Sequence, residues 1–189
     1  MTRVGTALAA AVALLSVGAC TGEEPAGGDP TTSAPSPRAT PSPTPTPAAP
    51  TIPPEATEHS ADGAAAFVKY YYSAMRYSAM TGDGAILLAA STEECDTCAA
   101  MAAYDTKLHK AGGGYEDLPW SPTVTTSQAE RDYFVVTTAV TTTPYRYKRR
   151  ADSPWIEVSP KKRMHLFRVR DTSEGWKVIH LTEQARVPK

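Results

Sequence analysis

The sequence predicts an α+β fold: three N-terminal helices packed on an antiparallel four-stranded meander, preceded by a disordered Pro/Thr-rich linker. Three observations carry this reading. Residues 61 to 81 repeat apolar side chains at helical spacing between a capping serine and a glycine. From about residue 118 the chain turns to Val, Thr, Tyr and Phe in two-residue alternation, interrupted by short turn-forming clusters. Between residues 21 and 58 lie eleven of the seventeen prolines, a composition that cannot build a core. Three parts follow: 1–19 an export segment, 20–58 a linker, and 59–189 one globular domain of common single-domain size.

The first helix is bracketed near residues 61 to 81. Ser60 can accept from a free helical amide, Asp62 suits the positive end of the dipole, and Gly82 can adopt the left-handed conformation that closes the far end. Ala64, Phe67, Tyr71, Ala74, Met75 and Ser78 fall on one face, with Lys69, Ser73 and Arg76 opposite. That face should pack on a sheet. Asp83 to Ala90 reads as a short second helix. A third begins at Ser91, where Ser91-Thr92-Glu93-Glu94 fits a capping box, and stops at Gly112-Gly113-Gly114.

Strands are expected near residues 118–129, 132–147, 155–170 and 175–185, with turns at Ala129-Glu130-Arg131, Ala151-Asp152-Ser153-Pro154 and Ser173-Glu174-Gly175. Short loops between consecutive strands imply antiparallel pairing, and helices that precede the strands as a block imply that they cover one face of the sheet. Phe67, Tyr71, Phe134, Phe167 and Trp176 should supply much of the interior. A twisted sheet on a helical layer is expected to leave a cavity between them.

At the N-terminus Arg3 precedes an apolar run from Val4 to Ala19, too short for a permanent span but of signal-peptide length. Leu15-Ser16-Val17-Gly18-Ala19-Cys20 resembles the lipobox of bacterial lipoproteins. The resemblance implies removal of 1–19, acylation of Cys20 (diacylglycerol, with fatty acids such as palmitate), and a domain held at the outer face of the cell membrane. The alternative is a secretory signal with an unrelated cysteine. Pro41-Ser42-Pro43-Thr44-Pro45-Thr46-Pro47 should be extended at roughly 3 Å per residue, giving the linker a reach on the order of 100 Å. Its Ser and Thr side chains are candidates for glycosylation.

The helices-then-strands order, ending in Gly175-Trp176-Lys177-Val178-Ile179-His180-Leu181, is similar to the SnoaL-like or nuclear transport factor-like cone fold, whose strands curve. More narrowly, Ala66-Phe67-Val68-Lys69-Tyr70-Tyr71, Tyr77 with Thr81-Gly82-Asp83, and Cys95-Asp96-Thr97-Cys98 resemble a family of actinobacterial lipoproteins catalogued as domain of unknown function 6318. The likeness covers residues 59–189 and implies fold and location, with no activity attached.

Formal net charge is −1, so no bulk attraction to nucleic acid is expected. With Cys20 assigned to the anchor, Cys95 and Cys98 remain as a pair, for which three readings compete. A thiol oxidoreductase needs a stabilised thiolate, which a helix N-terminus favours but Glu93, Glu94 and Asp96 oppose. Zinc needs about four ligands, and the other histidines are scattered. A structural disulfide needs only that a spacing of three bring both residues to one side of the helix, in an exported domain. No metal or cofactor is expected.

His165 alternates with Phe167 and Val169, and His180 with Trp176 and Val178, so either can face inward; Asp171 and Glu183 sit near strand ends. A general base there would need a carboxylate partner that the sequence does not place. Arg146, Lys148, Arg149 and Arg150, followed by Lys161, Lys162 and Arg163, concentrate charge on one expected hairpin beside Tyr145, Tyr147 and Trp155. They form a candidate patch for anionic lipid or wall polymer, or a charged edge that blocks aggregation. The expected function is a non-catalytic binding or interaction domain on a lipid anchor, taking a small apolar ligand or an envelope partner. An enzyme using a cavity histidine and a surface thiol oxidoreductase are the alternatives.

Overall fold

The computed structural model describes residues 47–184; Cys20, the export segment and most of the linker lie outside the described residues. The first helix, α1 (Ala61–Thr81), forms between the expected bounds. Ser60 is extended and its Oγ accepts from the Gly63 amide at 3.0 Å. Gly82 closes the helix in the left-handed region (φ 77°), its amide donating to the Ser78 carbonyl at 2.7 Å. Ala64, Phe67, Tyr71, Ala74, Met75 and Ser78 are buried, and Val68 and Tyr72 widen the stripe. Gly63 is required by close approach: a Cβ there would lie 1.9 Å from the Glu58 carbonyl oxygen.

That contact shows that the folded part begins before residue 59. Pro54–Thr57 is a 3-10 turn, and its Ala56 is buried against the core. The end of the segment read as linker is therefore packed, because an alanine among the prolines finds an apolar seat.

The two remaining helices are α2 (Ala85–Ala89) and α3 (Asp96–Lys110). The third helix does not start at Ser91, and the capping box does not form. Ser91 instead makes a parallel bridge to Val178, flanked by Thr92 N–H donating to the Val178 carbonyl (2.9 Å) and Val178 N–H to the Ala90 carbonyl (3.0 Å). Its hydroxyl donates to the Leu87 carbonyl. Pairing with a sheet edge outcompetes a cap, and the helix waits until Cys95.

Among the described residues, seven strands replace the expected four: β1 (Gly112–Tyr115), β2 (Trp120–Ala129), β3 (Phe134–Thr142), β4 (Tyr145–Arg150), β5 (Ile156–Val158), β6 (Lys161–Thr172) and β7 (Gly175–Gln184). They form two antiparallel sheets, ordered β2-β3-β6-β7 and β1-β4-β5. The reason is proline. The expected strands 132–147 and 155–170 each break at one, Pro144 and Pro160, which cannot donate to a ladder. Thr142 still pairs with Lys161, but Tyr145 now pairs with Val158 in the second sheet. The glycine stop becomes β1, with Gly114 opposite Lys148.

The core lies between α1 and the four-stranded sheet. Phe67, Tyr71, Phe167 and Trp176 are buried, with Phe134 packed against them. Tyr71 meets Phe167 edge-on at 5.9 Å, and Phe134 meets Trp176 the same way at 5.2 Å.

Candidate functional site

The five expected aromatics pack in the interior, and none of them lines the neighbouring cavity. The opening lies beside them, where the two sheets diverge. A cavity of about 280 Å³ has one wall from Met75, Met101, Trp120, Val140, Val158 and Leu181. Thr97, Thr142, Tyr145, Lys161, Arg163, His165 and Glu183 also line it, so the apolar side chains share the enclosure with hydroxyls and charged groups.

His165 is buried at 9% exposure. Its Nδ1 is 2.8 Å from the Tyr72 hydroxyl, which is 2.6 Å from Thr138 Oγ1, and the imidazole stacks on the Tyr72 ring at 5.9 Å. Burial holds the His165 pKa below its ordinary value; Glu183 opposes this, and Arg163 adds to it. Burial also raises the Tyr72 hydroxyl well above the usual phenol range, with the Thr138 hydrogen bond opposing, so burial favours the uncharged form of both rings.

His180, by contrast, is exposed. The ladder between β6 and β7 slips at Ile179, with Arg168 opposite His180 but Val169 opposite Val178. This bulge reverses the parity of the strand: Trp176 and Val178 face in, and then Leu181 does. The alternation that grouped His180 with Trp176 fails at one extra residue. Asp171 pairs instead with His59, at 2.7 Å, and that ring lies parallel to Trp176 at 5.7 Å.

Cys95 and Cys98 form a disulfide with Cα atoms 5.2 Å apart, at the cap and first turn of α3. Both are buried, at 1% and 0% exposure, so neither sulfur is open to an exchanging thiolate. Thr97, between them, lines the cavity.

The family model that matches residues 38–182 is described as a family of unknown function, DUF6318. The chain belongs to the DUF6318 family. A comparison with curated proteins returned no match. Among solved structures, the fold is similar to the intermembrane space region of the chloroplast protein ARC6, with a TM-score of 0.55 and 10% identity over 68% of this chain and 99% of that chain. That likeness concerns the fold alone. A structure from Novosphingobium aromaticivorans described as a "putative aromatic ring hydroxylase" aligns with a TM-score of 0.41 and 17% identity over 64% of this chain and 87% of that one. This similarity is too low to carry an argument.

In this DUF6318 domain several of the quoted motif residues hold the fold. Phe67 and Tyr71 are core, Gly82 is the cap of α1, and the cysteines pin the start of α3. The basic residues do not share one hairpin: Arg146, Lys148, Arg149 and Arg150 lie on β4, and Lys161, Lys162 and Arg163 on β6, in different sheets. Arg146 is held by Glu116 (Nε to Oε2 2.8 Å), and its guanidinium lies 5.6 Å from the Trp155 ring, with Lys148 at 5.5 Å. Arg163 pairs with Glu183, while Arg149, Arg150 and Lys162 are exposed.

Two features of the site had no clear sequence signal. Tyr72 sits one position beside the expected inward face, yet it anchors His165. Asp105, buried on α3, accepts from Ser78 Oγ at 2.7 Å; burial raises its pKa, with Ser78 and His109 opposing. With Tyr104 and Tyr115 it lines a neighbouring pocket of about 300 Å³ that shares Met75, Met101 and Trp120 with the first.

Proposed function

We propose that this protein is a cell-envelope lipoprotein of the actinobacterial type, anchored through Cys20 and spaced by its Pro/Thr-rich segment. Its cone-like domain binds a small ligand in the 280 Å³ cavity without transforming it. The observation that carries the binding reading is the composition of the cavity: apolar side chains together with hydroxyl and charged groups beside a buried histidine. What favours binding over catalysis is the use of those groups. Glu183 is paired with Arg163, and His165 Nδ1 with Tyr72, so the two side chains are not joined to each other as an acid–base pair. The buried disulfide supports the same preference over thiol exchange. The lipobox resemblance and the proline content support the anchor and spacer.

The test has two readouts on the full chain. Native protein should enter the detergent phase on partition, and Cys20→Ala should abolish this; a processed wild type found in the aqueous phase contradicts the anchor. A neutral apolar probe, 2-phenylethanol, should shift the amide resonances of cavity residues such as Met101 and Leu181. Unchanged resonances at saturating probe contradict the cavity reading.

A further inference from the structure

The ligand class follows from where the protons of the buried relay must go. Thr138 is fully buried, and its hydroxyl has one hydrogen-bond partner among the described residues, the Tyr72 oxygen at 2.6 Å. A buried hydroxyl proton left unpaired costs about 1–3 kcal/mol, so Thr138 donates to Tyr72. The Tyr72 proton then goes to His165 Nδ1 at 2.8 Å, which must accept it. A neutral imidazole accepting at Nδ1 carries its own proton on Nε2. No protein group among the described residues bonds that nitrogen, and the ring lines the cavity. The reverse chain, from His165 to Tyr72 to Thr138, would leave the Thr138 proton with no acceptor. The relay thus leaves the Nε2–H of His165, on a ring that lines the cavity, without an acceptor among the described residues.

The charges at the site point the same way. Lys161, Arg163 and Glu183 line the cavity; Arg163 and Glu183 form an ion pair, and Lys161 has no acidic partner among the described residues. One positive charge is left over. One N–H donor, one surplus cation and an apolar wall of Met75, Trp120 and Leu181 suit one acceptor-bearing monoanion on an apolar body. At about 280 Å³ the space is near the lower end of ligand pockets, which run from about 300 to 1,000 Å³.

We propose that the cavity binds a small monocarboxylate with an apolar body, its carboxylate taken by the Nε2–H of His165 and the ammonium of Lys161. This rests on the cavity being a binding site at all. The experiment separates the two claims by titrating the full chain with phenylacetate and with its neutral counterpart phenylacetamide, followed by amide chemical shifts, while the tautomer of His165 is read from its ring nitrogen resonances. Phenylacetate should bind at least about tenfold more tightly, as expected of a charge-assisted hydrogen bond. Lys161→Met, at an exposed position, should reduce that preference several-fold with the spectrum otherwise unchanged, and an undiminished preference contradicts the role given to the ammonium. The unliganded protein should show His165 protonated on Nε2. Equal binding of the two probes to wild type, or a proton on Nδ1, overturns the carboxylate assignment and leaves the cavity reading intact. Failure of both probes to bind overturns both.

Discussion

Glu183 stands directly opposite His165 across the β6–β7 ladder, yet its carboxylate is held by Arg163, two residues away on the same strand as the histidine. The pairing that would make a general base of His165 is thus present in register and diverted in contact.

Removing the diverting partner should show this. In Arg163→Gln the nearby positive charge is lost and Glu183 is released, and both changes favour the imidazolium. His165 should titrate at a higher pH than in wild type when followed by its ring resonances. An unchanged or lower titration point contradicts the arrangement.

The depressed pKa of His165 has a consequence for stability. Below its ordinary value of 6.5 the unfolded chain takes up a proton that the folded chain resists. Folding is therefore disfavoured as pH falls through that window, and the stability is regained above it. Denaturant unfolding should show a smaller loss between pH 7.5 and 5.5 in His165→Gln than in wild type. Equal losses would assign the dependence to other groups.

Ser78 supplies the side-chain hydrogen bond to the buried carboxyl of Asp105. Ser78→Ala should destabilise the domain by about 1–3 kcal/mol at neutral pH, the cost of a buried polar group losing its partner. Because burial raises the Asp105 pKa above 3.8, protonation in acid removes part of the charge that needs solvating, and the deficit should shrink there. A deficit that does not change with pH would show that Asp105 is not the group involved.

The disulfide closes a short loop, so Cys95→Ala with Cys98→Ala should cost about 2 kcal/mol in the chain-entropy picture and keep the fold. Circular dichroism and chemical denaturation measure both. The native protein should resist thiol reagents under mild reductant because both sulfurs are buried. Rapid labelling would return weight to thiol exchange.

What the sequence reveals is uneven, for identifiable reasons. The long helix is legible from Ser60 to Gly82 because its caps and apolar period are local signals. The break of two strands at Pro144 and Pro160 is also local, and the alternation running through them masks it. The bulge at Ile179 and the bridge at Ser91 are set by partners across the fold and leave no periodic trace. The site follows this pattern. His165, Arg163, Lys161 and Glu183 are readable as candidates, but Tyr72 and Thr138 gain their roles only once α1 lies on β3 and β6.

The central claim is that the space between α1, α3 and the two sheets is a ligand site. It is tested most directly by comparing phenylacetate binding in wild type and in Val158→Trp, a substitution on the cavity wall that fills it from one side. Isothermal titration should give saturable, one-to-one binding to wild type and none to Val158→Trp, with both proteins equally folded by circular dichroism. Equal binding by the two, or none by wild type, would contradict the account.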